Sequence, residues 1–164
     1  MTEIVVASAE KREQAAMVLR EVLERMGIEA EVSAFDDGDR VILDAHGGES
    51  GLIIGKKGAT LDALQYLVNR IVFPRPGERP MVVVDAEGYR GRREDTLVDM
   101  ANRLAEKVQR SGRPAASEAM SAHDRRIMHK ALVDIPGIRT ESEGDEPQRR
   151  VVVFPSAREE QASP

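Results

Sequence analysis

Apolar residues in this chain recur at helical or alternating spacing in separate blocks, and those blocks predict its elements. Between Ser8 and Met26, the residues Ala15, Leu19, Val22, Leu23 and Met26 fall every three or four positions. That spacing predicts an amphipathic helix with Ser8 as N-cap and Gly27 as its stop. Two strand-like segments follow, 28–35 and 40–45, joined by Asp36-Asp37-Gly38-Asp39, a hairpin signal. A glycine-rich stretch, Gly47-Gly48-Glu49-Ser50-Gly51, leads into Leu52-Ile53-Ile54 and then Gly55-Lys56-Lys57-Gly58. Residues 59–73 are predicted helical, with Leu61, Leu64, Leu67, Val68 and Ile71 in one apolar stripe, and Pro74-Arg75-Pro76-Gly77 ends the run. Residues 80–85 form a third strand around Val82, Val83 and Val84, completing the order αββααβ.

The pattern restarts after Ala86-Glu87-Gly88. A helix is expected over 92–109 with Leu97, Met100, Ala101, Leu104 and Val108 inside, and 112–120 reads as irregular or weakly extended. Ser121-Ala122-His123-Asp124 resembles a capping box, with Asp where Glu is commoner, opening a helix that stops at Pro136-Gly137. Strands at 138–142 and 149–154 flank an acidic turn, and 157–164 reads as a disordered tail. The fold class expected is α+β in two small domains, 10–88 and 89–156, after an extension at 1–9.

Composition narrows the chemistry. Aromatics are 3% of the 164 residues and Trp is absent, so the cores must be aliphatic. No Cys is present, which removes disulfides, thiolate metal sites and cysteine nucleophiles. The longest apolar runs span a few residues and the N-terminus does not resemble a signal peptide. A cytoplasmic location without membrane insertion is the expectation. The net charge of −5 argues against a nucleic-acid partner until its distribution is read. Residues 1–50 carry five basic and twelve acidic side chains, whereas 89–113 reach +3 through Arg90, Arg92, Arg93, Arg103, Lys107, Arg110 and Arg113. One basic face is compatible with that asymmetry.

Two short motifs could carry chemistry. In Ile54-Gly55-Lys56-Lys57-Gly58 the glycines permit a tight turn and close approach of a ligand, the lysines supply charge, and the next helix offers free N–H groups. A sugar–phosphate backbone could lie there; a solvated bend between helices is the bland alternative. The second motif is Arg125-Arg126-Ile127-Met128-His129. Arg125 and His129 are four apart on one helical face, with Ile127, Met128, Ala131 and Leu132 on the opposite, buried side. Arg grips phosphate through a fork of donors, and His donates or stacks. An exposed Arg–His pair is the ordinary reading of such spacing. Arg149 and Arg150 could meet phosphates, or pair with Glu141 and Glu143 across the hairpin. Arg90, Arg92 and Arg93, where the two domains join, could extend a basic path or simply cap and solvate a helix start. Against the second option, three arginines there oppose the macrodipole, so that a ligand phosphate would relieve repulsion. His46 and His123 read as structural or incidental.

Placed within αββααβ, the Ile-Gly-x-x-Gly segment resembles a KH domain of the type II topology, whose loop clamps the backbone of about four nucleotides. The Arg-x-x-x-His segment resembles an R-3-H domain, a single-stranded nucleic-acid module of helices packed on a small sheet. With the close of the chain, Thr140-Glu141-Ser142-Glu143-Gly144-Asp145-Glu146-Pro147 and Arg149-Arg150-Val151-Val152-Val153, the whole resembles the bacterial Jag family, also called KhpB. The resemblance implies binding of single-stranded RNA, or single-stranded DNA, by Ile54, Gly55, Lys56, Lys57, Gly58, Arg125, His129, Arg126, Arg149, Arg150, Arg92 and Arg93. It also implies post-transcriptional regulation or RNA chaperoning connected with cell division and envelope growth. Many members carry a further N-terminal domain; only about eight residues precede the first helix here, so roles tied to that domain are not carried over. Neither Gly-x-x-x-x-Gly-Lys-[Ser/Thr] nor His-Glu-x-x-His occurs, and no enzyme, cofactor or metal site is expected. Asp36, Asp37 and Asp39 read as a turn. The alternative is a docking module that pairs with a small KH-only protein or with itself and has little RNA affinity.

Overall fold

The computed structural model describes residues 9–38, 40–75 and 82–156, and the chain divides into two units between Gly91 and Arg92. The expected N-cap Ser8, Asp39 of the hairpin, Pro76-Gly77, the start of the third strand and the C-terminal tail lie outside the described residues.

The first unit runs α1 (Ala9–Arg25), β1 (Glu31–Asp37), β2 (Arg40–His46), α2 (Ser50–Ile54), α3 (Ala59–Val72) and β3 (Val82–Asp85). Its sheet has the order β1-β2-β3, with β1 antiparallel and β3 parallel to β2. Helix α1 stops where Gly27 takes φ +74°, and the Ile28 N–H closes the helix end by donating to Leu23 O. Because Ile28 is engaged there, β1 begins at Glu31 rather than at 28, and Met26, beyond the helix, is left 46% exposed. The core joins Leu19 and Leu23 of α1, Val41 and Leu43 of β2, Leu61, Leu64 and Val68 of α3, and Val82 and Val84 of β3. Burying each such side chain contributes about 1.5–3 kcal/mol before entropy is counted.

The buried face of α3 is shifted from the expected stripe. Leu61, Leu64, Val68 and Val72 point inward, while Leu67 and Ile71 are 43% and 48% exposed. The reason lies at the open edge of β3. Asn69, buried, donates to Val82 O at 2.7 Å and accepts the Val82 N–H at 3.1 Å, and Gln65 Oε1 accepts the Val84 N–H. Satisfying that strand edge, which would otherwise be unpaired, rotates Asn69 in and its apolar neighbours out.

In the second unit, α4 (Tyr89–Ser111, beginning in the first unit) and α5 (Ala122–Leu132) accompany β4 (Ala115–Ala119), β5 (Ile138–Glu143) and β6 (Arg150–Pro155). The sheet order is β4-β6-β5, antiparallel throughout. Its core comprises Leu97, Ala101, Ala105, Val108, Met128, Leu132, Val151 and Val153. Strand β4 occupies the stretch expected to be weakly extended. It alternates Ala115 and Ser117 inward with Ala116 and Glu118 outward, and Ser117 Oγ accepts the Val151 N–H from β6. At the start of α5, Ser121 Oγ accepts the Asp124 N–H at 3.2 Å, the cap its spacing predicts.

Candidate nucleic-acid interface

The loop between α2 and α3 is held by backbone geometry that only its residue types allow. Gly55 caps α2 through an N–H bond to Gly51 O and takes φ +69°, ψ −175°, a region open essentially to glycine. A Cβ there would stand 2.1 Å from Thr60 Oγ1 and 2.9 Å from Thr60 N. Lys57 (φ +54°) and Gly58 (φ +84°) are left-handed, and Gly58 is buried against the Tyr89 ring. Three residues of positive φ in four fold the chain back sharply and leave Lys56 exposed at the tip, with Lys57 and Ile54 half-buried. Gly58 is the N-cap of α3 and supplies no side-chain acceptor for the first-turn N–H groups. The site therefore combines close backbone approach, two lysines and a helix start. Such a combination suits a phosphate.

Asp62, in the first turn of α3, would oppose an anion, but Arg90 Nη1 pairs with it at 3.0 Å. Two further Arg90 donors, Nε and Nη2, go to Val84 O and Gln65 Oε1. Asp85 Oδ1 accepts the N–H groups of Ala86 and Arg90, capping the start of α4. Arg93 Nε and Nη2 both donate to Asp124 Oδ2, and the pair is 14% and 6% exposed. The arginine repulsion expected at this helix start is thus relieved by Asp62, Asp85 and Asp124 within the protein, without a ligand. Arg92 remains exposed.

In the second unit the Arg-x-x-x-His pair shares one face, as the spacing predicts, but the face is turned inward. Arg125 is 7% exposed, donating from Nη1 to Met120 O at 2.8 Å and from Nη2 to Glu146 Oε1 at 2.7 Å. His129 lies 2.7 Å from Thr140 Oγ1 through Nδ1 and 2.9 Å from Ser142 Oγ through Nε2. Desolvation, and secondarily the Arg125 charge, lower its pKa from 6.5. A neutral ring with one donor and one acceptor nitrogen fits two hydroxyls, each able to donate or accept. The expectation that Arg125 lies opposite the buried side is corrected: it is itself buried, because two oxygens outside its helix take its fork.

Of the two readings of Arg149 and Arg150, the hairpin pairing with Glu141 and Glu143 is absent among the described residues. Glu143 stands opposite Arg150 in register without an ion pair, and Glu141 is taken by Arg139, whose guanidinium also covers the Phe154 ring. Arg149 is half-buried, its Nε enclosed without a partner, and Arg126 and Arg150 are exposed. Sequence reasoning missed Thr140 and Ser142. Their alternation along β5 with Arg139, Glu141 and Glu143 was the available signal. His46 lies 3.5 Å from Glu31 and 3.7 Å from Asp44, and Asp36 accepts from Arg12. Among the described residues no group of three His, Asp or Glu side chains could hold a metal, and no helix is long and apolar enough to cross a membrane.

Comparison with known proteins places both units. Residues 12–84 match the KH domain model of KhpA/KhpB, and residues 95–155 match the R-3-H domain model. The chain is 35% identical to the RNA-binding protein KhpB of Clostridium symbiosum over 87% of its own length and 65% of that protein. It is 32% identical to the RNA-binding protein KhpB of Bacillus subtilis (strain 168), over 86% of this chain and 69% of the relative. With the RNA-binding protein KhpB of Streptococcus pneumoniae the identity is 33%, over 80% of this chain and 40% of the relative. The chain thus spans about two thirds of the first two relatives and well under half of the third.

Proposed function

The chain belongs to the KhpB family of paired KH and R-3-H domains, and on that premise we propose that it binds single-stranded RNA with the 55–58 loop as the backbone clamp. The observation that carries this reading is the loop itself. Lys56 projects from a glycine-enforced turn at the start of a helix whose N-cap has no side-chain acceptor, and the carboxylate nearest along that helix, Asp62, is already paired. Bases would rest against apolar surface beside the loop, where Ile54 is half-buried. In the second unit, Arg125 and His129 hold the frame, while Arg126, Arg149 and Arg150 are the cations offered to phosphate. Two weak sites on one chain raise affinity through effective concentration, which suits unstructured RNA. The role proposed is non-enzymatic and cytoplasmic: post-transcriptional regulation or RNA chaperoning, with a connection to cell division and envelope growth suggested by the family.

Converting both Lys56 and Lys57 to Asp tests the reading. Binding to a mixed-sequence single-stranded RNA should weaken sharply in a gel-shift titration. The slope of log K against log salt should fall by roughly 0.7 for each phosphate that is no longer neutralised. Unchanged affinity and slope would remove the loop as the site. A second reading, docking to another KH protein or to a second copy, draws on the apolar residues left exposed on α2 and α3: Leu52 at 59%, Tyr66 at 68%, Leu67 at 43% and Ile71 at 48%. An absence of RNA affinity at low salt would bring that reading forward.

A further inference from the structure

The stretch that joins the two matched domains contributes to the first of them. After β3, Glu87 (φ +52°) and Gly88 (φ +69°) turn the chain, the Tyr89 N–H donates to Ala86 O, and the Glu87 N–H donates to Asp44 Oδ1. The turn returns two consecutive side chains to the start of α3. Tyr89 is half-buried against the first core, and its ring lies over Gly58: a Cβ added at Gly58 would stand 2.9 Å from Tyr89 Cε1 and 3.5 Å from its hydroxyl oxygen. Arg90, 24% exposed at its side chain, spends three of its N–H groups on Val84 O, Asp62 Oδ1 and Gln65 Oε1. A guanidinium so engaged is poorly placed to reach a ligand.

We propose that Tyr89 and Arg90 are positioning residues for the 55–58 clamp, Tyr89 by fixing the left-handed Gly58 from beneath and Arg90 by neutralising Asp62. The inference rests on the reading of that loop as an RNA clamp. Its electrostatic half follows from the geometry of α3. Asp62 lies four residues after Gly58, about 6 Å along the axis, and its side chain is 45% exposed. Unpaired, it would repel a phosphate at the helix start. At that range in a largely aqueous setting the repulsion weakens binding about three- to tenfold at low salt. Its steric half follows from Gly58, whose φ of +84° is held with the Tyr89 ring in contact.

The test uses the full chain and a fluorescently labelled mixed-sequence single-stranded RNA, read by anisotropy, with the amide signal of Gly58 followed by NMR in RNA-free protein. Arg90→Gln should weaken binding about three- to tenfold, and adding Asp62→Asn to it should return affinity to that of Asp62→Asn alone. Tyr89→Leu should shift the Gly58 amide and weaken binding, whereas Tyr89→Phe, which keeps the ring, should do both to a smaller extent. A thermal melt of each variant identifies any loss due to unfolding. Removal of Asp62 would not rescue such a loss. If Arg90→Gln and Asp62→Asn combine additively, or if the Gly58 signal ignores Tyr89→Leu, the inference is overturned while the clamp stands. If the Lys56→Asp/Lys57→Asp protein binds RNA like wild type, the clamp reading beneath it falls instead.

Discussion

Replacing Gly55 with Ala perturbs the clamp at its tightest point, and the cost can be worked from the geometry. The residue sits at φ +69°, ψ −175°, where a Cβ costs about 1–3 kcal/mol in backbone strain alone. That Cβ would also meet Thr60 at 2.1 Å from Oγ1 and 2.9 Å from the backbone N. A hydroxyl can rotate away. The backbone nitrogen of a helical residue cannot, and overpacking of this kind adds roughly 1–3 kcal/mol. A destabilisation of about 2–6 kcal/mol is therefore expected. Gly51→Ala is the control: it lies in α2 with nothing within 4 Å of the added Cβ, and should gain about 0.5–1 kcal/mol. The chain contains two tyrosines, Tyr66 and Tyr89, and no Trp. Both tyrosines lie in the first unit, so intrinsic fluorescence follows its melting separately from the second. For a unit of this size each kcal/mol moves Tm by about 4–8 °C, so Gly55→Ala should lower the fluorescence Tm by roughly 10 °C or more. A Tm within about 3 °C of wild type would refute the claim that glycine is required there.

Two further outcomes concern the second unit. The folded pKa of His129 lies below its ordinary value of 6.5, so the folded state resists protonation. Stability is therefore fully present above pH 6.5 and is lost as pH falls below it towards the folded pKa. Urea midpoints followed by circular dichroism between about pH 8 and 5 should decline, and His129→Asn should flatten this part of the decline. Arg93→Ala strands the buried Asp124 carboxylate and should cost about 3–5 kcal/mol in the same urea assay. Adding Asp124→Asn should recover part of that loss, and equal damage with or without it would mean that the Arg93–Asp124 pair is not what holds these residues.

Periodicity reveals elements wherever an element's own residues decide it. Both α3 and α4 are legible because their apolar residues recur at helical spacing over many positions. Strand β4 is not, because Ala-Ala-Ser-Glu-Ala has no β-branched or aromatic residue and becomes a strand through pairing with the distant β6. The rotation of α3 was equally hidden. Leu67 and Ile71 are as apolar as Leu64 and Val68, and the choice between them is made by the open edge of β3, which needs Asn69 and Gln65. The same limit separates the two functional motifs. In Gly55-Lys56-Lys57-Gly58 the glycines announce a backbone conformation that no distant residue has to supply, so a loop of this shape can be read from sequence, although its packing on Thr60 and Tyr89 cannot. In Arg125-x-x-x-His129 the spacing correctly places both side chains on one face but is silent on what that face meets. A guanidinium fork that can hold a phosphate holds a carbonyl and a carboxylate equally well, and an imidazole serves two hydroxyls as readily as a base. Met120 O and Glu146 accept from the two ends of the Arg125 fork, and Thr140 and Ser142 meet the two ring nitrogens of His129. The donors named in the signature thus stabilise the second unit's own frame. What the frame carries outward, on α5 and at the start of β6, is Arg126 and Arg150, with Arg149 half-buried next to Arg150, none of them in an ion pair among the described residues.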